Sequence, residues 1–258
     1  MNETIRELIE RKSVRVFEER PIPSEWKDLI LQAAFEAPTG GSMMLYSIID
    51  VTEGELKEQL AISCDDQPFI MKAPLVLIFL ADYQRWYDAF CQTDCNPRKP
   101  GEGDLLLACA DAIIAAQNSV VAAQSLGLGS CYIGDIIENC EKVRELLKLP
   151  EYTVPAAMVV YGFPAESQKT RKKPARFDKK YIVHENQYHS LSYTEQEQMH
   201  LERNQRSGLP DKDVKQGICT LCNQKYMSEF AIEMNRSAEV YLNNFREQQI
   251  RKNEGSNE

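Results

Sequence analysis

The feature that most constrains this chain is a long apolar stretch between about residues 104 and 126. Three leucines open it, and alanines follow at close intervals: Ala108, Ala110, Ala112, Ala115, Ala116, Ala122 and Ala123. A helix that is apolar on nearly every face must be covered by other elements, and small side chains let those elements approach closely. We therefore expect this helix at the centre of the core or in a subunit interface.

Uninterrupted apolar runs at residues 73–81 and 154–162 predict buried strands, since each is apolar at consecutive positions. A further strand is predicted at residues 46–51, and helical patterns lie between the strands. With 258 residues and 43% hydrophobic content, the chain can form one large α/β domain or one domain with an appendage. Residues 181–258 are polar and resemble a tail that packs over another surface.

The net charge of −9 argues against nucleic acid or an anionic membrane as the main partner, because both favour a basic surface. No apolar run reaches the roughly eighteen residues of a membrane span, and the first residues lack the apolar part of a signal peptide. We expect a cytoplasmic protein with small-molecule partners or a second subunit. The eight cysteines are then expected to be mostly reduced.

Two basic stretches are candidate anion sites. Arg11-Lys12-Ser13-Val14-Arg15, the basic segment, places two guanidiniums, an ammonium and a hydroxyl within five residues. In an extended chain, positions 11, 13 and 15 face one side, and these donors suit phosphate oxygens. A solvated basic turn is the alternative. The basic run at residues 169–180 is either a second half of a phosphate clamp or a solvated loop.

Several motifs occur in one order along the chain: R-x-S-x-R at residues 11–15, a small-residue turn at 38–42, Q-P-F-I-x-x-A-P at 67–74, and S-L-G-L-G-S-C-Y-I-G at 125–134. Together they resemble the FMN-dependent nitroreductase family. Later motifs at residues 161–165, 174–176 and 183–186 are similar to those of NADPH-dependent flavin reductases and major oxygen-insensitive nitroreductases. The resemblance spans about residues 3–195.

The resemblance implies an α+β fold with a mixed sheet flanked by helices, an intertwined homodimer, and FMN bound between the subunits. It implies an FMN-binding domain at residues 1–195 and a helical C-terminal extension at 196–258 that wraps over it. Residues expected to bind the cofactor are Arg11, Lys12, Ser13, Arg15, Pro38, Thr39, Gly40, Gln67, Ile133, Gly134, Lys173 and Arg176. Arg11, Ser13, Arg176 and Lys173 would hold the phosphate. Arg15 and Gln67 would meet the pyrimidine edge.

By the same resemblance, the chain is an NAD(P)H-dependent flavin enzyme. Hydride would pass from NAD(P)H to the flavin and then, in a ping-pong cycle, to a nitroaromatic, a quinone or free flavin. No side chain is expected to act as the reacting group, because the cofactor carries the chemistry. A flavin-binding sensor or storage protein on the same fold is the alternative. Reductive dehalogenation or flavin destruction would need a specific lid, which residues 83–103 do not clearly match.

Two features depart from the family pattern. Ser42, Met43 and Met44 stand where the family turn often carries Asn and Gln, which leaves substrate choice open. Cys219-Thr220-Leu221-Cys222 in the tail is a redox pair, half of a metal site or a coincidence. Cys91 and Cys95 could supply two more ligands for zinc or an iron–sulfur cluster.

Overall fold

The computed structural model describes residues 1–209 and 213–246, which form two compact units. Among these residues, the first unit comprises Met1–Arg171 together with residues 233–246, and the second comprises the described part of Lys172–Ile232. The domain boundary predicted near residue 195 stays a prediction, since compactness divides the chain at other points.

The first unit contains four strands and most of the helices. The helices are α1 (Glu3–Glu10), α2 (Ser24–Phe35), α3 (Gly54–Ser63), α4 (Pro68–Lys72), α5 (Gln84–Cys91), α6 (Glu102–Ser125), α7 (Cys140–Leu147) and α8 (Glu166–Lys169). The strands are β1 (Tyr46–Asp50), β2 (Leu75–Asp82), β3 (Gly129–Ile133) and β4 (Thr153–Gly162). The second unit contains α9 (Tyr193–Arg206) and α10 (Val214–Leu221), and α11 (Glu229–Arg246) begins in it.

The strands form one sheet in the order β1-β2-β4-β3, and every neighbouring pair is antiparallel. The predicted α+β class is confirmed, but the prediction of a mixed sheet is corrected for the described residues. There, parallel pairing is limited to an isolated bridge between Ser13 and Ser130. The mixed sheet was implied by the family resemblance, whereas the apolar run itself predicted only a central strand covered on both faces, and β2 is buried along its whole length. Here, helices cover both faces of an antiparallel sheet.

Each face of the sheet has its own core. On one face, Ala112, Ala115 and Ala116 of α6 pack against Phe79 and Tyr161. On the other face, side chains of α3, α4 and α7 pack on β2 and β4: Leu60, Ile70, Val143, Ile78 and Val160. The sheet thus separates two apolar layers, and β3 lies at its edge.

Within the described residues, helix α6 is covered on one side, and its other side is exposed. Its buried face carries Ala108, Ala112 and Val120, whereas Leu106 is 71% exposed and Leu107 46% exposed. Ile113 and Ile114 are exposed as well. The predicted central position is confirmed for the buried face. Among described helices, α6 alone has the length and composition to cross a membrane, and its buried face packs in the core on the sheet.

The final part of α11 packs into the first unit. Tyr241 and Phe245 are buried with Leu45 and Tyr152. Close by, the hydroxyl of Ser237 accepts a hydrogen bond from the backbone N–H of Cys140 at 3.0 Å. The part of α11 from Glu233 to Arg246 therefore belongs to the first unit, and Tyr241 and Phe245 contribute to its hydrophobic core.

Candidate functional site

The basic segment lies along the edge strand β3. The backbone N–H of Val14 donates to the carbonyl of Ser130 at 2.9 Å. Gly129 makes this approach possible, since a Cβ at that position would lie 2.5 Å from a Val14 methyl carbon. Gly162 does the same for Phe17, whose ring would lie 2.7 Å from an added Cβ. Two glycines thus allow the segment to press against the sheet.

The polar side chains of the basic segment converge on one point of β3. The thiol of Cys131 is buried, and burial raises its pKa, while Arg15, Ser13, Arg11 and Arg171 each oppose that rise. Groups at positions 11, 13 and 15 therefore face the same neighbour, as alternation in an extended chain predicts. The result is a concentration of positive charge and donors beside a buried strand.

Arg11 has an unused donor. Its Nε is buried and makes no hydrogen bond within the described part of the chain. Buried N–H groups are nearly always paired in proteins, so an unpaired one at a basic cluster indicates an acceptor supplied from outside the chain. Burial raises the pKa of the neighbouring Tyr132 to about 12, partly offset by Arg11, and this phenol stays protonated.

Lys12 has a different role from Arg11 in this arrangement. Its Nζ donates to the carbonyl of Lys169 at 2.9 Å and also to the carbonyl of Arg171. The guanidinium of Arg171 in turn donates to the carbonyl of Ser13. These bonds hold residues 169–171 against the basic segment and bring Arg171, a member of the predicted basic run, into the cationic cluster.

The predicted turn at Pro38, Thr39 and Gly40 is organised by a buried carboxylate on α6. Asp111, 3% exposed, accepts from the backbone N–H of Gly40 at 3.0 Å and of Leu45 at 3.1 Å, and from the hydroxyl of Thr39. The hydroxyl of Thr39 also accepts from Met44 N–H at 2.8 Å. Sequence reasoning missed Asp111, although an acid in an apolar helix was a signal.

Gln67 lies beside the end of β3. Its Nε2 donates to Oδ2 of Asp135 at 2.7 Å, and Asp135 follows Ile133 and Gly134 directly. The structure therefore brings together Gln67 and the 133–134 backbone. With the basic segment on the same strand, most predicted binding residues of the first unit gather around β3.

Two cavities border the basic segment. One of about 580 Å³ is lined by Arg15, Phe17, Pro68, Phe69 and Lys72, and the Arg15 guanidinium carbon lies 6.0 Å from the centre of the Phe69 ring. A smaller one, of about 180 Å³, is lined by Arg11, Lys12, Val14 and Gly129 among others. Space for a ligand is thus present on either side of the segment.

Lys173 and Arg176 belong to the second unit, so their part in a phosphate clamp stays a prediction. Cys91, Cys95, Cys219 and Cys222 are exposed free thiols. Across residues 1–209 and 213–246, no group of three or more His, Cys, Asp or Glu side chains is arranged to hold a metal ion. The predicted zinc or iron–sulfur site finds no support in this part of the chain.

Comparisons with known proteins agree with the sequence resemblance. Residues 8–163 match the profile of the nitroreductase family. An FMN reductase (NADPH) of Bacillus subtilis is 33% identical over 190 residues, which cover 73% of this chain and 75% of the relative. An NADPH-dependent oxidoreductase of Staphylococcus aureus is 28% identical over 247 residues, covering 95% and 93% of the two chains.

A solved structure shows the same fold. Nitroreductase A from Vibrio parahaemolyticus superimposes with a TM-score of 0.79 at 29% identity, over 94% of this chain and 97% of that one. The family recognised from collinear motifs, and with it the oxidoreductase class, is confirmed. This chain belongs to the nitroreductase family.

Proposed function

We propose that this chain is an FMN-dependent NAD(P)H oxidoreductase that transfers two electrons to a nitroaromatic, a quinone or free flavin. The observation that carries the proposal is the buried, unpaired Nε of Arg11 within a cationic cluster on β3. Similarity to an FMN reductase (NADPH) and to NADPH-dependent oxidoreductases supports the choice of flavin and hydride donor.

The residues present fit the phosphate of FMN. Arg11 offers an unused donor, Ser13 a hydroxyl, and Arg171 a further positive charge close to both. Charge-assisted hydrogen bonds of this kind are the strong ones, and guanidinium matches phosphate geometry. We assign Arg11 and Ser13 to the phosphate, with Lys173 and Arg176 as further proposed contributors. Lys12 is proposed to act by anchoring residues 169–171.

The pyrimidine edge of the ring is assigned to Gln67 and Arg15, next to the backbone at Ile133 and Gly134. When bound, FMN supplies the hydride-transfer chemistry at N5. Arg15 carries a positive charge at the wall of the larger cavity, where it would stabilise the negative charge that reduction places at the pyrimidine edge. Pro38, Thr39 and Gly40 are proposed to line the ring by backbone contact, because the polar groups of the turn already serve Asp111.

We further propose that two copies of the chain form a homodimer in the cytoplasm. Leu106, Leu107, Ile113 and Ile114 form an exposed apolar row on α6, and Ile5, Leu8 and Ile9 of α1 are exposed too. Contiguous apolar surface of this kind usually marks an interface. Sedimentation as a dimer is expected, and a stable monomer at micromolar concentration would contradict the proposal.

Steady-state kinetics test the catalytic cycle. If NADPH leaves before the acceptor binds, double-reciprocal plots at several acceptor concentrations should be parallel, since the two half-reactions share one site. A quinone and a nitroaromatic should give the same pattern. Intersecting lines would show that both substrates bind together, and no turnover with any of these acceptors would contradict the assigned activity.

A further inference from the structure

The side-chain amide of Gln67 is fixed by two acceptors. Its Nε2 donates to the carbonyl of Cys64 at 2.8 Å and to Oδ2 of Asp135 at 2.7 Å. An amide nitrogen carries two N–H donors, so both are used, and two acceptor partners settle which end of the amide is nitrogen. Oε1 is left to accept a hydrogen bond. The pyrimidine edge of FMN carries an N–H donor that suits it.

Behind Asp135 lies a second carboxyl group, that of Glu138. Glu138 is 3% exposed, and its Oε1 has no hydrogen-bond partner among the described residues. The two residues are joined by a backbone hydrogen bond from Glu138 N–H to the Asp135 carbonyl at 3.0 Å, and the Asp135 carboxylate is close enough to raise the pKa of Glu138. Two carboxyls can share a hydrogen bond only when one is protonated.

We propose that Glu138 is a positioning residue for the flavin site: its protonated carboxyl holds Asp135, Asp135 holds the Gln67 amide, and Oε1 of Gln67 is thereby presented to the ring. The inference rests on the proposed function, because that function assigns Gln67 to FMN. Glu138 itself does not touch the cofactor.

The surroundings of Glu138 raise the pKa of its carboxyl into the neutral range, so that it is mostly protonated only below about pH 7. Burial first, and then the charges of Asp135, Asp65 and Glu233, raise the pKa of Glu138 to about 7. The thiol of Cys64 faces the same acids, and its pKa is also raised, chiefly by burial. Glu233 is paired with Arg236 at 2.8 Å. Above pH 7, Glu138 becomes a carboxylate beside Asp135, and their repulsion weakens the hold on Gln67.

The test is the dissociation constant of FMN measured by quenching of flavin fluorescence between about pH 6 and pH 8. For the wild-type protein, loss of one hydrogen bond in this chain of contacts predicts that the dissociation constant of FMN rises by roughly fivefold to tenfold from pH 6 to pH 8. Glu138→Gln keeps a donor toward Asp135 at every pH, so its affinity should stay at the low-pH value. Glu138→Ala should bind weakly at every pH.

Glu145→Gln is the matched control, because Glu145 is an exposed residue of α7 whose carboxylate lies 3.8 Å from Lys142. The phosphate of FMN also titrates near pH 6, but it does so equally in all variants, so the comparison between variants removes it. A wild-type pH dependence retained in Glu138→Gln would overturn the inference. Absence of FMN binding by the wild-type protein at any pH would instead refute the proposed function.

Discussion

The basic segment and the small-residue turn at residues 38–42 are both short stretches that the sequence predicted to bind cofactor, yet their hydrogen bonds differ. In the turn, Asp111 takes up the N–H groups of Gly40 and Leu45 and the hydroxyl of Thr39. In the basic segment, Arg11 keeps a buried donor without a partner in the described chain. Satisfied donors indicate scaffold, whereas an unsatisfied donor in a basic cluster indicates a ligand.

The largest effect on stability is expected for Asp111→Ala. This change leaves two backbone N–H groups and a hydroxyl without their acceptor inside the protein, and such losses at a buried charge cost about 3–5 kcal/mol. Urea unfolding of the protein without FMN measures it. Asp111→Asn should cost less, because its carbonyl still accepts. A loss below about 1 kcal/mol for the alanine variant would show that the turn does not depend on this carboxylate.

For Arg11→Ala, we expect a large effect on FMN affinity and little effect on stability. Its Nε makes no internal hydrogen bond within the described residues, so the free energy of unfolding without FMN should barely change. The dissociation constant of FMN should rise about tenfold to a hundredfold, the equivalent of one charge-assisted hydrogen bond. Arg6→Ala is the control, since among the described residues Arg6 forms its ion pair with Glu3 on the exposed side of α1. Equal FMN affinity in both variants would remove Arg11 from the site.

Gly129→Ala should lower both the stability of the fold and the affinity for FMN. An added methyl would lie 2.5 Å from Val14 and push the basic segment off β3, at a cost of about 1–3 kcal/mol typical of overpacking. Both stability and FMN affinity should fall. Val14→Ala in the same chain removes the methyl contacts at 2.5 and 3.0 Å but leaves the Cβ of residue 14 at 2.7 Å, so it should recover part of both. If the double variant were no better than Gly129→Ala alone, the close approach would not be the cause.

The sequence predicted the positions of helices and strands better than it predicted which elements pack or pair with them. The apolar run at residues 104–126 predicted a helix that the structure places at Glu102–Ser125, because length and composition suffice for that. Composition could not say that Leu106 would be exposed and Ala112 buried, since coverage depends on which elements pack nearby. The direction of strand pairing could not be predicted either, because full burial of β2 is compatible with both parallel and antiparallel neighbours.

In the candidate site, too, the sequence predicted local features but not the contacts made through tertiary structure. Arg11, Ser13 and Arg15 were found because alternation in an extended chain and donor chemistry are local properties. Asp135 and Glu138 were missed because carboxylates in a sequence usually lie in solvent, and only the fold reveals that Glu138 is 3% exposed. Their relation to Gln67, 68 positions away from Asp135, comes from tertiary structure.

The central claim is that this chain binds FMN and reduces it with NADPH. Its most direct test is the visible absorbance spectrum of the purified protein before and after NADPH is added without oxygen. The account predicts two flavin bands that bleach promptly and return when an acceptor is supplied. Flavin bands that persist would mean a flavin-binding sensor or store, and a colourless protein that takes up no added FMN would contradict the account.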